Sequence, residues 1–193
     1  PFQQFQNCFG FLAEDSREGW AEILRVITLC IGTGGGVGVN YSALRAKGME
    51  IKRMGGTSSG PLSLMKIVNE AGRHMMMGGV RRSALLASLS WNHPDIQSFV
   101  QCKDWDKETM ERKRKNFEAP AAMDMHNISV LVGSQYFQAL QNHDPATTKL
   151  HYEICQRMLT HGEPGFLNLS RRLQDDSNAT CTNACAEACL HPY

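Results

Sequence analysis

No run of about 18 apolar residues occurs anywhere in the 193 positions, so nothing here reads as a membrane-spanning helix. An excess of one charge is missing too. Twenty Lys and Arg stand against 19 Asp and Glu, and a chain so balanced lacks the basic face that a general grip on nucleic acid needs. The sequence opens on Pro1-Phe2-Gln3-Gln4 with no initiator Met, basic n-region or apolar h-region, so no signal peptide is expected. Among the 7 cysteines the paired spacing of zinc ribbons does not occur. Cys181, Cys185 and Cys189 recur every four residues, which also fails the usual cluster-binding spacings, and His93, His126 and His143 have no spaced partner. No metal site is expected. The odd cysteine count argues against a secreted disulfide scaffold, and the sequons at Asn40, Asn127, Asn168 and Asn178 carry no weight without a secretory signal. A reducing cytoplasm is the expected location. A cysteine that matters there is catalytic or metal-binding rather than a staple.

With 42% hydrophobic and 20% charged residues, the chain can fill a core, and its length suits one domain or a piece of a larger one. Trp20, Ile23, Leu24, Ile27 and Ile31 sit at helical spacing after a capping pair, Asp15-Ser16. The glycines from Gly32 stop that helix, and Val37 to Asn40 reads as a short strand. Residues 41–60 read as loop. Pro61 opens a helix with Leu62, Met65, Ile67 and Val68 on its apolar face. A buried strand is expected over Ala84 to Leu89, then a helix start at Asn92-His93-Pro94-Asp95 with Pro at its first position. The charge-dense stretch from Lys103 to Glu118 reads as solvated surface. Asn127 to Val132 alternates as a strand does, Tyr152 to Leu159 as a helix, and Gly162 to Gly165 turns into a further strand. Alternation of the two element types predicts an α/β fold.

Three features invite a chemical reading. The cluster Gly32 to Gly38 lies between a helix and a strand, the reverse of a dinucleotide fingerprint, and no Walker A sequence occurs. A close-packed turn and a backbone loop near a nucleotide both remain open for it. Gly78-Gly79-Val80-Arg81-Arg82 sets two planar guanidinium groups beside a flexible glycine pair, suited to phosphate or bases but equally at home in a surface loop. In Asn183-Ala184-Cys185-Ala186-Glu187, an extended backbone would put Asn183, Cys185 and Glu187 on one face. That would gather a thiol able to attack or carry a radical, a carboxylate able to take a proton, and an amide able to hold a polar substrate. A helix would scatter them.

Seven motifs occur in order: Asn7-Cys8-Phe9, Gly34-Gly35-Gly36-Val37-Gly38, Gly78 to Ala84, Asn92-His93-Pro94-Asp95-Ile96, Asn127-Ile128-Ser129-Val130, Gly162-Glu163-Pro164-Gly165 and Asn183-x-Cys185-x-Glu187. Together they resemble the catalytic subunit of ribonucleotide reductases from end to end of the chain. The runs Ser83 to Ile96 and Ala119 to Val130 look most like the adenosylcobalamin-dependent class II enzymes. The resemblance implies a ten-stranded α/β barrel, with residues 1–193 as its first part and a central finger loop carrying the radical cysteine.

By the same resemblance, Cys185 is the thiyl that takes the ribose 3′-hydrogen, Glu187 takes the 3′-hydroxyl proton, and Asn183 holds the ribose hydroxyls. Cys8 is one of two thiols that protonate the departing 2′-hydroxyl and end as a disulfide, and Asn7 contacts substrate. Asp15, Ser16, Arg45 and Lys47 fall where the family binds an allosteric deoxynucleotide, and Arg81 and Arg82 fall in the loop that relays its identity. Adenosylcobalamin is the implied cofactor. A ribonucleotide substrate, a dithiol reductant such as thioredoxin and a homodimer of the complete subunit are the implied partners. This chain departs from the pattern at Ala184 and Ala186, where Pro and Gly are more common. The second reducing cysteine, the substrate-diphosphate loop and later strands are expected beyond Tyr193, so the chain reads as an internal piece. A class I subunit with a separate metal-radical partner is the alternative within the same chemistry. A nucleotide-binding regulatory module is the alternative outside it.

Overall fold

A computed structural model describes residues 7–52, 55–75, 83–168, 180–186 and 189–190. In chain order the elements are β1 (Cys8–Leu12), α1 (Arg17–Gly32), β2 (Gly36–Asn40), α2 (Pro61–His74), β3 (Leu85–Ser90), α3 (Ile96–Val100), α4 (Lys107–Lys115), β4 (His126–Val132), α5 (Ser134–Gln141), α6 (Pro145–His161), β5 (Gly165–Asn168), β6 (Cys181–Thr182) and β7 (Cys189–Leu190). Strands β1 to β5 form one sheet in sequence order, every neighbouring pair parallel. Parallel neighbours need crossovers, and helices supply them, so α/β is the observed class.

Helix α1 begins where Ser16, in extended backbone, accepts a hydrogen bond from Gly19 N at 2.8 Å. Ile23, Ile27 and Ile31 recur every four residues and are buried against the sheet. Burying each such side chain is worth roughly 1.5–3 kcal/mol. Gly34, at φ 98, lets the chain leave the helix in a left-handed turn. Pro61 opens α2 as expected, but its buried face is Leu64, Met65 and Val68, while Ile67 points to solvent. Pro94 precedes rather than opens α3, because Asp95 is the cap and the helix holds only five residues. Helix α5 carried no periodic signal strong enough to be read, and α6 starts seven residues before Tyr152, on Pro145 behind an Asp144 cap.

The pleat divides the sheet into two unlike faces. Phe11, Val37, Val39, Leu85, Ala87, Leu89, Ile128, Val130 and Val132 join the helices in one core. Register puts Cys8, Gly36, Gly38, Asn40, Ser88, Asn127, Ser129 and Gly165 on the opposite face. A small second cluster, Leu86, Leu131 and Leu167 with Ala186, packs there. No helix among the described residues is long and apolar enough to cross a membrane.

Candidate active site on the inner face

The two-residue strand β6 lies over β1 and β2 on the inner face and pairs antiparallel with β7. The glycines of β2 make that approach possible. A Cβ at Gly38 would overlap the backbone carbonyl of Thr182, and one at Gly36 would stand 2.8 Å from the Cβ of Ala184. Asn40 Nδ2 donates to Thr180 O at 2.8 Å and ties the segment to the end of β2. The glycine cluster is thus a close-packing device: the chain crosses the sheet on the two positions that have no side chain.

Beyond Thr182 the backbone turns rather than runs extended. Ala186 N donates to Asn183 O at 3.0 Å, and Ala186 sits at φ 63. Strand parity therefore does not gather Asn183 and Cys185. Asn183 is buried at 4% exposure, whereas Cys185 is exposed. A tight turn replaces the expected strand because Ala184, 3% exposed, anchors against Gly36 and swings Cys185 outward. Glu187, Arg81 and Arg82 lie outside the described residues.

Cys8 starts β1 in register with Gly36, the residue against which Ala184 packs. The inner face thus bears Cys8 at the start of β1, and Cys185 follows the alanine that packs on Gly36. Neither is in a disulfide. Asn7 is exposed, and its carbonyl accepts from Gly36 N at 2.7 Å. Cys185 opens onto a cleft of about 300 Å³ whose other walls include Asn127, Ser129, Glu163 and Gly165. Elsewhere, burial pushes the Cys102 thiol up to about 12, so that sulfur stays protonated.

At the far end of the sheet, Asp15 and Arg45 meet in an ion pair of 2.6 Å. Ser16 spends its hydroxyl oxygen on the α1 cap. Lys47 is exposed, and its backbone N–H donates to Asp95 at 2.8 Å. The resemblance thus named two residues, Asp15 and Arg45, that the fold brings together.

Sequence reasoning missed a buried polar cluster at the N-terminal ends of β3 and β4. Lys103, only 9% exposed, donates to Glu163 and to the carbonyl of His126, while the other Glu163 oxygen accepts from Ile128 N at 2.9 Å. Asp124 accepts from Arg73 at 2.6 Å and Lys113 at 2.5 Å. Burial raises the Asp124 pKa, but the two cations outweigh it and hold the carboxyl at about 2. Burial, helped by the Lys103 charge, lowers His126 to about 3. Lys103 and Lys113 sat in a charge run that looked uniformly solvated. Only the glutamate inside Gly162-Glu163-Pro164-Gly165 offered a signal.

Comparison with known proteins adds the family. The model of the ribonucleotide reductase barrel domain matches residues 6–151. A vitamin B12-dependent ribonucleoside-diphosphate reductase of Thermoplasma acidophilum is 31% identical over 98% of this chain, which spans 26% of that protein. A ribonucleoside-diphosphate reductase large chain of Schizosaccharomyces pombe is 31% identical over 97% of the chain and 27% of its own length. The alpha subunit of a class Id ribonucleotide reductase from Actinobacillus ureae superposes with a TM-score of 0.73 at 16% identity, covering 97% of this chain and 34% of that one. The chain spans about a quarter of the curated relatives it matches. Its parallel strands, the segment seated on their inner face and these matches together make the chain a member of the ribonucleotide reductase barrel-domain family.

Proposed function

We propose that this chain is the part of a ribonucleotide reductase that carries its radical cysteine, and that the complete protein reduces ribonucleotides to deoxyribonucleotides. One observation carries the reading: the segment that bears Cys185 crosses the inner face on Gly36 and Gly38, and Cys8 stands on that same face in register with Gly36. The name of the Thermoplasma relative supports the cobalamin-dependent type.

In this mechanism the Cys185 thiyl takes the hydrogen atom from the ribose 3′-carbon, becoming a thiol and leaving a carbon radical. Glu187 accepts the 3′-hydroxyl proton, and the buried Asn183 amide holds the hydroxyls in place. The 2′-hydroxyl leaves as water with a proton from Cys8. The second thiol, which lies in the complete subunit, gives its hydrogen to the 2′-carbon, and the two sulfurs supply two electrons and close a disulfide. Glu187 returns its proton to the 3′-oxygen, and Cys185 returns its hydrogen to the 3′-carbon. An external dithiol such as thioredoxin reopens the disulfide. Adenosylcobalamin, when bound, supplies the organic radical that starts this cycle. The exposed thiol opens onto a cleft whose walls Asn127, Ser129 and Gly165 carry no charge and whose Glu163 carboxylate is paired with Lys103, which would leave room for such a group to approach. Asp15 and Arg45, with Ser16, Lys47, Arg81 and Arg82, form the proposed site for a deoxynucleotide effector, and the complete subunit acts as a homodimer in the cytoplasm.

Anaerobic reduction of CDP and CTP by the chain within its complete subunit tests the reading, with a dithiol, with and without adenosylcobalamin, beside Cys185→Ala. Cobalamin-dependent product that disappears in the variant is expected. Product that needs a second, metal-radical subunit would move the protein to the class I type, to which the Schizosaccharomyces relative's name is also open. Absence of product under both conditions, with effector still bound, would leave a regulatory module.

A further inference from the structure

Helix α6, on the outer side of the sheet, holds a thiol with an acid–base partner of its own. Cys155 is half-buried and in no disulfide, and its Sγ lies 3.6 Å from His151 Nε2, one turn back along the helix. The other ring nitrogen, Nδ1, lies 2.8 Å from the hydroxyl of Tyr136 on α5. Aromatic packing fixes both rings. Phe166 of β5 stacks on the imidazole, centroids 5.5 Å apart at 21°. Tyr136, 1% exposed, meets Trp91 and Phe137 edge-on at 5.4 and 5.5 Å.

Nucleophile, base and orienting hydroxyl thus follow one another from the surface inwards. Burial, and then the neighbouring Cys155, push the Tyr136 pKa up to about 12, so the hydroxyl stays a neutral phenol. Its oxygen accepts from Nδ1–H, which leaves Nε2 with its lone pair towards the thiol. A wall built only for packing would be served by apolar residues at both positions, without the cost of desolvating a hydroxyl and an imidazole. The thiols of Cys30 and Cys102, by contrast, are raised by burial. Cys155 stands in mid-helix, where backbone N–H groups are spent on the helix itself, so the backbone offers no oxyanion hole for acyl transfer. Disulfide exchange needs none: a thiolate attacks sulfur, and a proton follows the leaving group. Tyr152 and Leu159, three residues before Cys155 and four after it, are exposed and uncharged, which leaves the approach open to an uncharged reagent.

We propose that Cys155 is a site of reversible thiol–disulfide exchange, with His151 as its base and a low-molecular-weight disulfide as its reagent. The thiol proton passes from Sγ to His151 Nε2, and the resulting thiolate attacks one sulfur of the reagent. The reagent's S–S bond breaks as the bond to Cys155 Sγ forms. The departing half leaves as a thiolate and takes the proton back from Nε2, so Cys155 is oxidised to a mixed disulfide and one half of the reagent is reduced to a thiol. Tyr136 is a positioning residue, holding the imidazole through Nδ1. None of the residues assigned above to ribose reduction takes part.

The test incubates the full chain with bis(2-hydroxyethyl) disulfide, small and uncharged, while peptide mass spectrometry follows each cysteine over time. Cys155 should form the mixed disulfide roughly tenfold faster than Cys30, another half-buried thiol, and dithiothreitol should remove the cap. His151→Gln should slow Cys155 roughly tenfold or more and leave the exposed Cys185 at its parent rate. Tyr136→Phe keeps the ring and loses only the hydroxyl. It should slow Cys155 several-fold beside His151 and have no effect in the His151→Gln background, whereas a merely structural tyrosine would act alike in both. A Cys155 rate no greater than that of Cys30, or one unchanged in His151→Gln, would overturn the proposal. An equal effect of Tyr136→Phe in both backgrounds would overturn the role given to its hydroxyl.

Discussion

The two faces of the five-stranded sheet are made from the same strands and have little else in common. The helix-facing side is Val, Leu, Ile and Phe, closed by α1, α2 and α6. The inner side is mainly Gly, Ser and Asn with one Cys and a small leucine cluster, and a short segment from the far end of the chain crosses it. A parallel sheet is ordinarily buried by apolar side chains on both faces. Here the inner face gives up side chains so that backbone can lie directly on backbone. Stability is therefore concentrated on one side and chemistry on the other, on adjacent residues along every strand.

Substitution on each face breaks or sharpens that contrast. Ile128→Ala, on the helix side at 2% exposure, should cost about 2–5 kcal/mol in urea unfolding. Gly38→Ala, on the inner side, should cost about 1–3 kcal/mol through overpacking. It should also lift the finger segment, because the obstacle is the Thr182 backbone and no rotamer change relieves it. Maleimide labelling of Cys185 reads that displacement. Labelling should rise several-fold in Gly38→Ala and stay at the parent rate in Ile128→Ala under folding conditions. Equal labelling rates in both variants would mean that the inner face does not hold the segment.

A second contrast lies between buried groups that acid affects at different pH. His126 is held neutral by burial, its pKa lowered from 6.5 to about 3, so the unfolded chain binds a proton that the folded chain refuses. Its contribution is present above about pH 6.5 and is lost as pH falls towards 3. Asp124 is lowered from 3.8 to about 2 by Arg73 and Lys113 against the opposing effect of burial. Its contribution, about 2 kcal/mol, is intact above about pH 4 and disappears only as pH falls through 2. Urea midpoints should therefore fall between pH 7 and pH 5 in the parent chain. His126→Phe should remove that fall, and Asp124→Asn should lower the pH 7 value while leaving the fall in place. A parent midpoint that is flat from pH 7 to 5 would contradict the buried neutral imidazole.

Much of the outer face could be read directly from the chain. Ile23, Ile27 and Ile31 announce α1, and Asn127 to Val132 announces β4, because burial against one neighbour leaves a simple period. The inner face left no such trace. A turn at Ala184–Ala186 and a strand give the same residue types at the same spacing, and only the packing of Ala184 on Gly36 decides between them. The glycines looked like a turn or a phosphate loop because nothing local says that another chain segment will cross them. Lys103 was invisible for a related reason: its burial depends on Glu163, sixty residues later. Motif order reached further than local pattern, since it singled out Cys8 and the segment from Asn183, which the fold sets on the same face of the sheet.

The smallest effect expected on stability is the most informative about regulation. Asp15 and Arg45 are each one-third exposed, and a pair so wetted contributes at most about 1 kcal/mol. Arg45→Ala should therefore leave the urea midpoint within that margin, unlike any change on the helix-facing side of the sheet. If the pair exists to hold a nucleotide, the same substitution should weaken binding of deoxynucleotide triphosphates tenfold or more and flatten their effect on substrate choice in the complete subunit. Arg45→Lys keeps the charge but loses the planar fork, and should restore only part of the affinity. A purely structural pair would show the reverse pattern, with full rescue by Lys and no change in nucleotide binding. Equilibrium dialysis with dATP and dTTP, run on the parent and both variants, separates the two at a site where stability measurements alone are silent.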